Sequence, residues 1–427
     1  MMPSVYFYLF ATFLLSLNFV RPWGLAISDW LYFASMGLAF IETLIYENKN
    51  FHCWTKNLLI WPAVLILFGA ILSTIRSNNV RVAIIEIFQQ IYVITVFISL
   101  TWIMVRRGYG NWIARVFIFS GLVTATVALL DYLTGSHFGP MLSGTPNADF
   151  YYRYAGTLGH PNKLGYFLVL TGLLTLAQWG IAHKAHIKQT AWAIILAVQI
   201  GGIFISGSVT AYLGILLGCI ALLLRLRQLQ KKILFLTISV IPIASLFLIF
   251  LFMSGNITFS QSERENNIIW RSLNRVGDIT AQTRVVVYEQ ALQKISESPI
   301  IGVGYDQVST SNIESENRFL ETSVHNALLQ ILYTGGLFAF AGWAFIYLYL
   351  GWQALKTILA KNIPNHNVFM AISLASGVLS ILLMDQFQDA IYQREKWLIF
   401  GLFFSYISST KILHANLGEK HGSVTQT

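Results

Sequence analysis

The side chains able to do chemistry fall in four stretches. Arg153 lies in YYRYAGTLGHPN, Arg284 in TAQTRVVVYEQALQKISESP and His325 in SVHNALLQILYTGG, while Asp385, Asp389 and Arg394 share LLMDQFQDAIYQREKW. A guanidinium suits phosphate, because its planar fork makes two parallel hydrogen bonds to it. An imidazole is the side chain best matched to proton transfer near neutral pH. Singly, each has a bland reading. A histidine at a membrane boundary more often completes packing, and an outer-loop arginine more often meets a lipid headgroup. Together they describe several cations and one titratable ring at one membrane face, where a lipid-linked phosphate can enter from the side.

Familiar soluble-site signatures are missing from the sequence. It has no Gly-rich phosphate loop followed by Lys, no paired cysteines at zinc spacing and no nucleophile elbow. GVGYDQV at 302–308 has two glycines of a dinucleotide fingerprint but follows a helical stretch, so it is set aside. Cys53 and Cys219 have no partner-like spacing. Asp29, Glu42 and Glu86 fall within or near apolar runs, where helix packing suffices for most; intramembrane carboxylates still lean toward function.

The elements that must position these groups follow from composition. Of 427 residues, 55% are hydrophobic and 11% charged, against roughly 25% charged in an average soluble domain. Polar surface could not cover so apolar a soluble core, so the solvent must be lipid. The net charge of +9 sits mostly in short gaps between apolar runs. It reads as an orientation signal and headgroup contact, not as a nucleic-acid surface.

Runs long enough to cross a bilayer, roughly 17–25 residues, appear at about 4–20, 24–45, 57–75, 83–105, 112–133 and 164–182. Others cover about 189–205, 209–224, 233–254, 326–352, 367–384 and 393–412. Ser206, Gly207 and Ser208 interrupt 189–224, which therefore reads as a tight helical hairpin. The expected architecture is an all-α integral membrane protein of about twelve transmembrane helices. Residues 1–254 would hold helices one to nine, 255–321 a large outer loop, and 322–427 helices ten to twelve with a cytoplasmic tail.

With the N-terminus inside, the cytoplasmic gaps hold fifteen Lys and Arg, and the short outer gaps hold seven: Arg21, Arg76, Arg81, Arg153, Lys163, Arg394 and Lys396. That bias puts both termini in the cytoplasm. The N-terminal run has no basic leader and no nearby small-residue cleavage site, so it reads as a retained first span. Within the outer loop, Val286, Val287, Ala291, Leu292 and Ile295 recur near helical spacing, Thr280 can cap the start and Pro299 marks the end. A short amphipathic helix at the membrane surface is expected there.

Three stretches resemble the O-antigen ligases and the related O-antigen and exopolysaccharide polymerases. They are RYAGTLGHPNKLGYFL at 153–168, TRVVVYEQALQKISESPIIGVG at 283–304 with its P-x-x-G-x-G ending, and VHNALLQILYTGGLFAFAG at 324–342. The resemblance implies a GT-C-like fold and a metal-independent glycosyltransferase needing no cofactor. Its donor would be a glycan on undecaprenyl pyrophosphate, and its acceptor a glycan or glycolipid at the outer face of the cytoplasmic membrane. By the same analogy Arg284 and Arg153 bind the pyrophosphate, and His325 takes the acceptor proton or orients the donor; Asp385, Asp389 and Arg394, from their place between the last two spans, are the candidates for support. One departure stands out: Val209, in ISGSVTAYLG, occupies the place of an arginine that ligases carry. That leans the reading from ligase toward polymerase. The rival from another class is a transporter of a small anion such as bicarbonate, whose site would lie near the bilayer midplane on a broken helix.

Overall fold

Long apolar runs broken by short polar gaps give a body made almost wholly of helices. The structure is a computed structural model and describes residues 2–17, 26–46, 59–136, 138–139, 153–184, 189–226, 279–307, 312–315, 318–321, 324–360, 368–388 and 390–422. The helices are α1 (Pro3–Phe13, with a 3₁₀ turn to Ser16), α2 (Ile27–Tyr46), α3 (Ile60–Thr74), α4 (Val80–Arg106), α5 (Gly110–Thr134) and α6 (Pro161–Lys184). They continue as α7 (Thr190–Ser206), α8 (Val209–Leu226), α9 (Ile279–Glu297), α10 (Ala327–Leu359), α11 (Val368–Met384) and α12 (Arg394–Gly422). A short antiparallel hairpin, β1 (Asn312–Ser315) with β2 (Arg318–Glu321), pairs Asn312 with Glu321 and Ser315 with Arg318, so the all-α expectation needs this one amendment.

Every expected apolar run but one falls on a helix; the run at 233–254 lies outside the described residues. The hairpin at 206–208 forms as read: Gly207 takes a left-handed φ of 57° and separates α7 from α8. The helix expected from this spacing is α9, with Val287, Ala291 and Ile295 buried against Val324 and Tyr333 while Leu292 faces out. It starts at Ile279, so Thr280 lies inside its first turn and does not cap it.

Among the described residues, four helices are long and apolar enough to cross a membrane: Val80–Arg106, Gly110–Thr134, Pro161–Ala182 and Ala327–Leu359. Five more are apolar but shorter. The outside of the body is as greasy as its inside. Trp61 is 73% exposed and Leu348 75%, a cost in water that vanishes in hydrocarbon. The chain is accordingly a membrane protein.

Helix ends sort into two faces. At one end, Trp102 with Arg106, Trp112 with Arg115 and Trp352 with Lys356 form cation–π pairs at 4.7, 5.9 and 5.0 Å, the composition of an interfacial belt. The same end holds the Glu42–Arg107 ion pair at 2.7 Å, whose carboxylate also accepts from the Ser4 amide at the start of α1. The opposite end gathers the starts of α6, α8, α10 and α12. α6 is the central helix, buried along nearly its whole apolar length.

Residues Thr95–Leu100 of α4 form a π-helical turn, which widens the helix and turns the Phe97 carbonyl toward α12. Gly401 meets it there: a Cβ on Gly401 would stand 1.7 Å from the Phe97 oxygen. No rotamer escapes a clash with backbone. Gly401→Ala should cost about 3 kcal/mol or more, read as a fall in Tm of the detergent-solubilised protein.

Candidate active site

The second face is built around a break in α10. Gly335 and Gly336 follow a turn of apolar residues, and Gly336 sits at φ 67°, ψ −166°, a conformation open essentially to glycine alone. The break frees backbone groups that need partners in a lipid-embedded body. The segment Pro299–Gly304 supplies them. Leu337 donates to the carbonyls of Pro299 and Ile300 at 3.0 and 3.2 Å, and the Val303 amide donates to the Tyr333 carbonyl at 2.9 Å. The Ser73 hydroxyl satisfies the Thr334 carbonyl. Thus the P-x-x-G-x-G and Gly-Gly elements, distant in sequence, are two halves of one joint.

From that joint the chain runs to a 3₁₀ turn, Tyr305–Gln307. Asp306 accepts from the Asn79 amide at 2.9 Å, and Tyr305 N–H donates to Ser77 Oγ at 3.0 Å, fixing the turn to the start of α4. The Gln330 side chain donates to the Gln307 carbonyl at 2.8 Å and accepts from the Val324 amide at 3.1 Å. His325 is therefore held from the residue before it.

It is held from the residues after it as well. Asn326 caps α10, its Oδ1 accepting from the Leu329 amide at 3.0 Å, while its Nδ2 donates to the Gln386 carbonyl at 3.3 Å. The Ala327 amide donates to the Asp385 carbonyl at 2.9 Å. Between these anchors His325 adopts φ 54°, and it is the one non-glycine residue with positive φ among the described residues. A left-handed histidine costs of order 1–3 kcal/mol and persists where the surroundings dictate it.

Arg153 approaches from the segment before α6. Its Nε donates to the Ser206 carbonyl at 2.8 Å and an Nη to Asn162 Oδ1 at 2.5 Å. Gly159, left-handed at φ 74°, turns the chain so that His160 stands just ahead of α6. The Asn162 amide donates to His160 Nδ1 at 3.1 Å, which leaves the neutral ring's proton on Nε2. Burial first, then the charges of Arg153, Lys163 and His325, push the His160 imidazole down to about 4. His160 is thus a neutral ring at any physiological pH, and it is where the influences of Arg153, Lys163 and His325 meet.

The other residues singled out from the sequence are placed differently. Arg284 lies in the second turn of α9; its side chain, like Asp389, lies outside the described residues. Arg394 donates to Asp29 at 2.8 Å and Ser28 at 2.9 Å, tying α12 to α2. Asp385 is fully buried, paired with Lys396 at 3.0 Å and hydrogen-bonded by Tyr166 and Tyr347. His160, Asn162 and Lys396 carried no signal of spacing; a lone His before Pro and a Lys in a short gap look ordinary. Among the described residues no group of three or more His, Cys, Asp or Glu is placed to hold a metal ion.

No curated protein gives a significant match to this chain. A family profile described as O-Antigen ligase matches residues 193–344, from α7 to the middle of α10. The matched region holds the Ser206–Ser208 turn, the Pro299–Gly304 segment, the broken helix and His325, and with them the stretches 283–304 and 324–342 that carried the resemblance to the O-antigen ligase and polymerase family, while the stretch 153–168 lies outside it.

Proposed function

We propose that this protein is a metal-independent membrane glycosyltransferase that uses a glycan on undecaprenyl pyrophosphate as donor and a glycan or glycolipid hydroxyl as acceptor. The strained, doubly anchored His325 carries the reading. A histidine that only packs has no need of a left-handed backbone, whereas a base must be aimed. The leaving group is a lipid pyrophosphate, so cations must meet its developing charge; Arg153, Lys163 and, from α9, Arg284 are the candidates. Val209 replaces an expected arginine, yet Arg153 bonds the Ser206 carbonyl at that same turn. Polymerisation is favoured over transfer to a lipid core. About twelve spans, both termini in the cytoplasm and the His325 face outside the cytoplasmic membrane complete the proposal. Against the transport reading stands the break in α10, which is filled by the chain's own backbone, Pro299–Val303.

The assay is transfer from an undecaprenyl-pyrophosphate-linked glycan by the purified protein. Arg284→Ala should lower turnover about 10²-fold or more, as for other lost transition-state donors. Arg284→Lys should recover little, since a point charge does not replace a bidentate fork. Arg318→Ala, on β2 and outside any motif, should behave as wild type. Full activity in Arg284→Lys would reduce that residue to charge balance.

A further inference from the structure

Lys396 and Asp385 form an ion pair with no solvent exposure at either side chain. Such a pair is costly to desolvate, and well-packed apolar residues often serve stability as well or better. Its neighbours are unusually complete. The Asp385 carboxylate accepts from Lys396 Nζ at 3.0 Å, from Tyr166 Oη at 2.9 Å and from the Tyr347 hydroxyl. Lys396 Nζ lies over the Trp343 ring at 4.8 Å and within 3.4 Å of the Tyr347 oxygen. Four helices, α6, α10, α11 and α12, thereby fix one carboxylate. The backbone of the same residue does a second job: its carbonyl accepts the Ala327 amide, two residues after His325, and the next carbonyl, of Gln386, accepts from Asn326.

We propose that the Lys396–Asp385 pair is a positioning device for His325: the charge of Lys396 locks the Asp385 side chain, so that the Asp385 and Gln386 carbonyls hold the left-handed turn at His325. Neither side chain takes part in bond making. Lys396 acts through Asp385, and Asp385 through its own main chain. Resting on the function proposed above, this assigns a role to a buried cation, a class of residue that seldom survives in a membrane interior without one.

The full-length protein in nanodiscs separates the possibilities with Lys396→Met, Asp385→Asn and the double variant. Two readouts are needed: kcat and KM for transfer, and hydrogen exchange of the 324–329 amides. Lys396→Met strands a buried carboxylate; kcat should fall about 10²-fold, the scale for a reacting group misplaced by about an ångström, with KM within about threefold. Amide protection at 324–329 should fall with it. The double variant removes both charges while an amide at 385 still serves Tyr166 and Tyr347, so protection should return and kcat should recover at least about tenfold. A double variant that regains protection but not kcat would make Asp385 or Lys396 a direct participant, overturning the proposal. So would a Lys396→Met protein with wild-type kcat and protection. If wild type transfers nothing from this donor while the exchange results hold, the functional reading fails and the positioning device stands.

Discussion

His325→Asn should yield a protein at least as thermostable as wild type that has lost about 10² or more of its transfer rate, the usual worth of a general base. The two readouts move apart for a physical reason. At φ 54°, histidine pays for a backbone that asparagine adopts more readily, so Asn should relieve strain and hold or raise Tm. An amide also keeps a hydrogen-bonding group near one ring nitrogen, yet it cannot accept a proton near neutral pH. A packing histidine would predict the reverse: near-normal transfer with changed stability. The pH profile sharpens the test. His160 is pushed down to about 4, so it stays neutral well below neutrality and contributes nothing to an acid limb there. A base loses activity as falling pH protonates it, so a base at His325 gives the wild type an acid limb that depends on that ring. In His325→Asn that limb should be gone, with a low, flat residual rate from about pH 5 to pH 8. Transfer within about threefold of wild type would reduce His325 to packing.

Much of this architecture was legible because lipid enforces simple rules. Any spanning segment must satisfy its backbone internally, so apolar runs become helices and Ser-Gly-Ser becomes a turn. The amphipathic spacing of Val287, Ala291 and Ile295 likewise found its partner surface on Val324 and Tyr333. Illegible features are those whose cause lies elsewhere in the chain. The π-helical turn at Thr95–Leu100 exists opposite Gly401, about three hundred residues later. Nothing local in VFISL announces it.

The site divides along the same line. Arg153 and His325 were singled out by residue type, and the structure brings both within electrostatic reach of His160. His160 carried no such signal, because its environment depends on a neighbour's amide at Asn162 and on the charges of Arg153, Lys163 and the sequence-distant His325. Lys396 was misread. In a short gap after an apolar run it counts as an outer charge for orientation, but the start of α12 is drawn inward and the ammonium is enclosed by Trp343, Tyr347 and Asp385. Charge counting treats every Lys alike; only packing tells which one has left the interface. Arg394, its near neighbour, also turned inward, to Asp29 of α2.

Gly336→Ala tests whether the broken helix is what carries the site. A Cβ there would stand 2.2 Å from the Ile300 oxygen and 2.6 Å from the Ile300 and Ile301 carbonyl carbons, and φ 67° with ψ −166° is closed to alanine regardless of space. Both penalties fall on backbone, which cannot step aside as a flexible side chain would. The expected cost is about 4 kcal/mol or more, from strain and overpacking together. Gly172→Ala is the control: it lies inside α6 with nothing within 4 Å of its Cβ, and should stabilise by up to about 1 kcal/mol through helix propensity. The Gly336 variant should also lose transfer in whatever fraction stays folded. If Pro299–Gly304 is pushed off the break, the Tyr305–Gln307 turn moves with it, and Gln330 loses its hold on the Gln307 carbonyl and then on Val324, next to His325. A Gly336→Ala protein with wild-type Tm and turnover would mean that α10 can run straight through this point, and that the joint between the two glycine motifs plays no part in placing the histidine.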